Sequence, residues 1–381
     1  MPLITIIFYV VKSNFMKILY IANAAQIGGG NKSLLSMAQK TSTRYTVHIL
    51  VPQKGSFCDL LEDAGLDYSV ANINFRSENL LNYFKTFLKV FKIVYNFSPD
   101  IIHINDLFCY RIPSLVAKFF RIPIILHIRF SVEREAINYF MKIKPSCLIF
   151  NSRYMQEEFF KKNSSLKNKI NFDIVYNFFD PEEYYYPDLR KDVREKLGLL
   201  NQFVIGIVGN FYPVKGHEYL LKSIKILVNE NQSIKLLIIG QDLSPNKENE
   251  KRIKGIVSSL NIDKNVIFLG FQRKIGPFLS ALDVLVVPSL YEPFGRVAVE
   301  GLLAGIPVIG SKTGGLIEIL EEAPHGYLVS PASSEDLSLK IKEILSLNLN
   351  YPLLDNRQYA INKFSANKNF QKLLKIYESF C

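Results

Sequence analysis

The sequence predicts an α/β protein made of two doubly wound domains that face each other across a cleft. Short apolar runs alternate with longer amphipathic ones, the pattern restarts once near mid-chain, and glycine-bearing and charged motifs fall just after apolar runs. Repeated strand-helix units build parallel sheets. In open parallel sheets ligands sit at the carboxyl ends of the strands, where strand order reverses.

The first buried strand is expected at 16–22, opening with MKILYI, and residues 1–15 read as an upstream extension outside the fold. Further strands are expected at 45–51, 67–72, 100–104, 122–128, 146–150 and 172–176. A polar, proline-containing passage near 180–200 separates the halves, and the pattern resumes at 203–209, 235–239, 266–269, 284–288, 307–310 and 326–329. The expected domains are therefore 16–180 and 181–365. A last helix within 366–381 could join either one, including by a return to the first.

Composition narrows the class. With 48% hydrophobic and 21% charged residues in 381, the chain is globular and large enough for a sizeable core, which excludes disordered and staple-dependent small folds. Forty-six basic residues against 35 acidic ones leave a net charge of +11, which favours an anionic partner. Nucleic acid is disfavoured, because the basic residues are dispersed and no DNA or RNA motif appears. The four cysteines form no CxxC and read as free thiols in a reducing cytoplasm. The apolar run Leu3–Val11 is too short to span a bilayer and no small-residue cleavage site follows it, so the chain is read as cytoplasmic.

One stretch points toward a membrane surface. Across Leu80–Tyr95, Lys85, Lys89 and Lys92 share one helical face while Phe84, Phe87, Leu88, Phe91 and Val94 crowd the others. This is a basic amphipathic helix, suited either to an ordinary domain surface or to peripheral contact with an anionic membrane carrying a lipid-linked acceptor.

The chemistry-bearing motifs follow strands. After the first comes Gly28-Gly29-Gly30 and a helix, where backbone N–H groups and the helix N-terminus can meet a phosphate. GxGxxG is absent, so no dinucleotide fingerprint is present. In the second half Gly209-Asn-Phe-Tyr-Pro-Val-Lys215-Gly216 places a lysine near a helix start, suited to a diphosphate, without the spacing of a Walker loop. The richest segment runs from Pro288 to Val308 and holds Glu292, Phe294, Gly295, Arg296 and Glu300. With a helix starting near Gly295, Glu292 lies in the loop before it and Glu300 shares a face with Arg296. Both carboxylates can accept hydroxyl hydrogen bonds, and Thr313-Gly314-Gly315 supplies a second glycine-lined helix start nearby.

His103 and His127 each follow an apolar run, a place where a lone histidine is more often structural. There is no HExxH and no Asp-x-Asp, so no metal site and no cofactor are predicted.

Taken together, GNFYPVKG, EPFGRVAVE with glutamates eight apart, GIPVIGSKTGGLIEI and HGYLVSP resemble the retaining glycosyltransferases of family 4, the glycosyl transferases group 1. MKILYIAN, PDIIHIN, IPIILHI and VYNFFD occur in the family's order, so the likeness runs from Met16 through nearly the whole chain. The resemblance implies a GT-B fold of two Rossmann-like domains, an acceptor-binding first one and a second that binds a nucleoside diphosphate sugar.

It also implies roles. Lys215 would neutralise the donor diphosphate, Glu300 would hold the ribose, and Glu292 with Phe294 and Gly295 would grip the donor sugar. Gly29 and Gly30 would close on the diphosphate, His127 would stand near the reacting sugar, and residues around Arg273 would set the donor base. Many members carry Arg where Asn210 stands here. Either Arg296 supplies that charge or the diphosphate grip is weaker. The expected reaction is metal-independent sugar transfer to an acceptor hydroxyl on a surface glycan or glycolipid. Another GT-B chemistry, such as sugar-nucleotide epimerisation, and a non-catalytic sugar-nucleotide or membrane-binding partner are the alternatives.

Overall fold

The computed structural model describes residues 16–73, 80–230 and 232–380. The extension expected at residues 1–15 lies outside these.

Two parallel sheets form, one per half. The first contains β1 (Lys17–Ile21), β2 (Thr46–Val51), β3 (Tyr68–Val70), β4 (Ile101–Ile104), β5 (Ile124–Ile128), β6 (Cys147–Phe150) and β7 (Asn171–Ile174), in spatial order β3-β2-β1-β4-β5-β6-β7. The second contains β8 (Phe203–Val208), β9 (Ile234–Ile239), β10 (Val266–Gly270), β11 (Val284–Val287), β12 (Val308–Ser311) and β13 (Gly326–Val329), ordered β10-β9-β8-β11-β12-β13. Each strand lies within about two residues of its expected position. Central strands such as β4, β5 and β11 are buried along their entire length, because helices cover both faces and leave no polar side to alternate with.

Strand order reverses between β1 and β4 and again between β8 and β11. Those reversals face each other, and the motifs that follow β1, β8, β11 and β12 converge there. The fold is the two-domain GT-B architecture.

Two chain crossings join the domains side by side. Phe179 forms an isolated parallel bridge with Ser365, and the Ala366 N–H donates to the Phe179 carbonyl at 2.9 Å. Beyond that crossing, the helix Ala366–Glu378 packs on the first domain. Phe370, Leu373, Leu374 and Tyr377 are buried with Tyr20, Leu34 and Ala38 of that domain. The Tyr377 hydroxyl lies 2.8 Å from the Tyr20 hydroxyl and 2.6 Å from His103 Nδ1, which anchors the chain end far from the domain that precedes it.

The helix Leu80–Phe97 buries Val90 and Val94 and leaves Lys85, Lys89 and Lys92 exposed. Its outer face also exposes Leu80, Leu81, Phe84 and Tyr95 by 84, 69, 60 and 66%, far more apolar surface than a solvated helix face carries. Phe91 meets Phe119 at 5.2 Å between ring centres, so the neighbouring helix Arg111–Phe120 extends the patch with a Phe119 that is itself 67% exposed. Among the described residues, no helix is long and apolar enough to cross a membrane.

Candidate donor-binding cleft

A cavity of about 300 Å³ lies between the two reversal points and takes its walls from both domains. The first domain contributes the turn Gly28–Gly30, Lys32, Ser33, Arg129, Asn151 and Asn177, and the second contributes Gly209, Asn210, Lys215 and Glu292 through Val297 with Glu300.

Backbone geometry explains the glycines. Gly216 (φ 72°) packs so close to the Pro288 carbonyl that a β-carbon would stand 1.9 Å from its oxygen. Gly314 (φ 54°) holds the same relation to Glu292, at 2.0 Å, and the Gly315 N–H donates to the Glu292 carbonyl at 2.9 Å. Only glycine permits either approach in the left-handed region. The Lys215 loop, the Glu292 loop and the turn after β12 are thereby locked to one another.

This locking pairs the two motifs. Lys215 Nζ donates to Glu292 Oε2 at 2.7 Å, and the Ser289 hydroxyl donates to the same oxygen at 3.2 Å. Neither side chain of the pair is fully buried, at 31% and 14% exposure, so both can still meet a ligand. Gly295 (φ 107°) caps the helix Arg296–Leu303, and Arg296 Nη2 approaches Glu300 Oε1 at 3.5 Å one turn further on. Glu300 is buried, and Tyr184 Oη also donates to Oε1 at 3.5 Å. Phe294 is buried against the hinge aromatics Phe179 and Phe364, so its backbone lines the cleft while its ring belongs to the core.

Arg296 bridges the domains. Its Nη1 donates to Ser33 Oγ at 2.9 Å, and its guanidinium lies 4.4 Å from the centre of the Phe179 ring. A β-carbon at Gly29 would stand 3.7 Å from Arg296 Cδ. Three further contacts cross the gap. Ser152 Oγ donates to the Pro293 carbonyl at 2.6 Å, the Ser131 N–H donates to Tyr291 Oη at 3.1 Å, and the Arg153 N–H donates to both Glu318 carboxylate oxygens at 3.0 and 3.2 Å.

Two expected site residues stand elsewhere. His127 is buried within β5 and does not line the cleft. Arg129, two residues on, projects to the same side and covers it, with Nη2 donating to His127 Nδ1 at 3.2 Å. Burial, then the Arg129 charge, holds the His127 imidazole well below its ordinary range, so it is a neutral acceptor behind the wall. Arg273 forms an exposed ion pair with Asp63 of the other domain and lines an adjoining cavity of about 290 Å³. That cavity shares Lys32, Phe271, Ile275 and Arg296 with the cleft, so Arg273 borders a side extension of it.

Arg129 and a set of asparagines join the site without belonging to any of the motifs legible in the sequence. Asn105, Asn151 and Asn177 each come just after β4, β6 or β7, at strand ends that face the cleft. Arg129 Nε donates to Asn105 Oδ1 at 2.7 Å and Nη1 to Asn177 Oδ1 at 2.8 Å, while Asn151 donates to the Arg129 carbonyl at 3.2 Å. The available signal is an Asn directly after each of two buried strands, β4 and β6, with a third Asn three residues past the end of β7. Among the described residues, no group of three or more His, Cys, Asp or Glu side chains gathers in a metal-binding arrangement.

The family description "Glycosyl transferases group 1" matches residues 190–378. The chain is 27% identical over 270 residues to the uncharacterized glycosyltransferase MJ1607 of Methanocaldococcus jannaschii, covering 65% of this chain and 66% of that protein, just under two thirds of its length. It is 22% identical over 354 residues to the Escherichia coli UDP-Gal:alpha-D-GlcNAc-diphosphoundecaprenol alpha-1,3-galactosyltransferase, covering 88% and 89%. The crystal structure of Anabaena HepE in complex with UDP-glucose superposes with a TM-score of 0.84 at 24% identity, over 96% of this chain and 100% of that one. Residues 190–378 thus match the glycosyl transferases group 1 family, on a GT-B frame that spans both halves.

Proposed function

We propose that the protein is a retaining, metal-independent glycosyltransferase that moves a sugar from a nucleoside diphosphate sugar to an acceptor hydroxyl. The observation that carries this reading is the Lys215–Glu292 pair at 2.7 Å in a cleft lined by both domains. It sets a cation for a leaving diphosphate beside a carboxylate for sugar hydroxyls. Lys215 and the N-termini of the helices Gly29–Ser42 and Arg296–Leu303 stabilise negative charge as it develops on the diphosphate. Glu300, deeper in the cleft, accepts from the ribose, and the backbone of Phe294 and Gly295 abuts the sugar.

In the proposed step the bond from the anomeric carbon to the phosphate oxygen breaks, and the bond to the acceptor oxygen forms on the same face. The acceptor proton passes to a diphosphate oxygen. His127 takes a positioning role, since it reaches the cleft only through Arg129. The HepE complex with UDP-glucose supports a uridine nucleotide as the first donor to try, and the E. coli relative supports a lipid-linked diphosphate acceptor in glycan synthesis. A cytoplasmic protein lying on the inner membrane face through the helix Leu80–Phe97 would meet such an acceptor.

The test is transfer by the purified chain from UDP-, GDP- and ADP-hexoses to a lipid-linked acceptor in EDTA, with the anomeric configuration of the product read by NMR. Retained configuration and undiminished turnover in chelator are expected. Inverted product would exclude the same-face step, and activity lost to EDTA and restored by manganese would exclude the metal-independent one.

A further inference from the structure

We propose that Arg129 is a donor-binding residue, a cation that the first domain supplies to the diphosphate. This rests on the transferase reading above and adds a residue to it. Two of the other long cations of the cleft are already partnered, Lys215 by Glu292 at 2.7 Å and Arg296 by Glu300 at 3.5 Å, and the third, Lys32, is a point charge without a planar fork. Arg129 forms no ion pair among the described residues. Its guanidinium is fixed by neutral acceptors only, the side-chain oxygens of Asn105 and Asn177 and the Nδ1 of His127.

Those bonds orient the group without neutralising it, and the buried Asp106 carboxylate acts on it through space without forming an ion pair. Of five N–H donors on a guanidinium, these bonds use three, which leaves one N–H on each terminal nitrogen. Two N–H groups on a planar fork match two phosphate oxygens, a geometry that a lysine lacks. The position fits as well. A β-carbon at Gly30 would stand 3.9 Å from Arg129 Cδ and one at Gly29 3.7 Å from Arg296 Cδ, so two arginines from opposite domains cross the mouth of the same helix. Burial, then repulsion from Arg296, pulls the Arg129 pKa down to about 9, and an anion set between the two relieves that repulsion. An ordinary structural arginine gains its place by pairing with a carboxylate. This one is held by amides with its charge facing the cleft.

The test compares R129Q with the parent by calorimetry, using whichever of UDP, GDP and ADP the parent binds, and the matching nucleoside. The expected result is a ten- to hundredfold loss of affinity for the diphosphate with nucleoside affinity unchanged. If R129Q does not reach the parental melting temperature, R129K replaces it, and a loss of at least threefold for the diphosphate alone is expected because the fork is gone. Parental diphosphate affinity in the folded variant overturns the assignment. Equal loss for diphosphate and nucleoside also overturns it, as does an effect confined to the acceptor KM. A parent that binds none of the three diphosphates would instead overturn the transferase reading itself.

Discussion

Arg296 Nη1 donates to Ser33 Oγ at 2.9 Å, which ties the helix that carries Glu300 to the helix that opens at the first domain's glycine turn. The same guanidinium approaches Glu300, so the proposed nucleotide contact and the bond between the domains share one side chain.

Lys215 and Glu292 should not behave as independent residues. Lys215→Ala removes the cation and leaves the half-buried Glu292 carboxylate unpaired, so turnover should fall by about two to three orders of magnitude, the scale of losing one preorganised donor. Glu292→Gln should keep most affinity for the free nucleoside diphosphate while impairing transfer. In a double-mutant cycle the two losses should miss additivity by about 0.5–3 kcal/mol. Strictly additive losses would mean that the 2.7 Å pair carries no functional weight.

Glu300→Gln keeps the shape of a buried acceptor but removes its charge. Nucleotide binding should weaken by about 1–3 kcal/mol, the range for a charge-assisted hydrogen bond. Arg296 also loses its carboxylate partner, so small-angle scattering should report a more open average shape in the variant. Unchanged affinity together with unchanged shape would remove Glu300 from both roles.

Stability should depend on pH through Glu318. Desolvation at the domain boundary raises its pKa from 4.5 to about 7, against the opposing hydrogen bond from the Arg153 N–H. Because the folded value lies above the ordinary one, its contribution to stability is fully present below about pH 4.5 and is lost as pH rises through about 7. Glu318→Gln does not titrate. Its melting temperature relative to the parent should therefore climb between pH 5 and pH 8, and a flat difference across that range would show that Glu318 is not the titrating group.

The exposed helix Leu80–Phe97 should bind anionic vesicles in a salt-dependent way. Each basic residue near such a surface contributes about 1 kcal/mol, so charge reversal at Lys85, Lys89 and Lys92 should cost at least several-fold in partitioning. Vesicle flotation decides it: a triple variant that floats like the parent would leave the aromatic patch without a membrane role.

What the sequence determined by itself was the strand-by-strand course of both domains and the motifs at their strand ends. Buried parallel strands are short continuous apolar runs, and the residues after them are the glycines, Lys215 and Glu292 that a cleft at carboxyl ends requires. The tertiary structure decided what those motifs do to one another. The Lys215–Glu292 pair depends on β8 lying beside β11, and the approach of Arg296 to Ser33 depends on two separate sheets meeting. His127 shows the limit most clearly. IILHI gives no alternation from which to tell an inward from an outward face, because helices cover both sides of β5. Arg129 shares the side of His127 but stands past the end of β5, so it forms the wall and His127 lies behind it. The terminal helix followed the same logic: its apolar face could fit either domain, and the crossing at Phe179 and Ser365 carried it to the first.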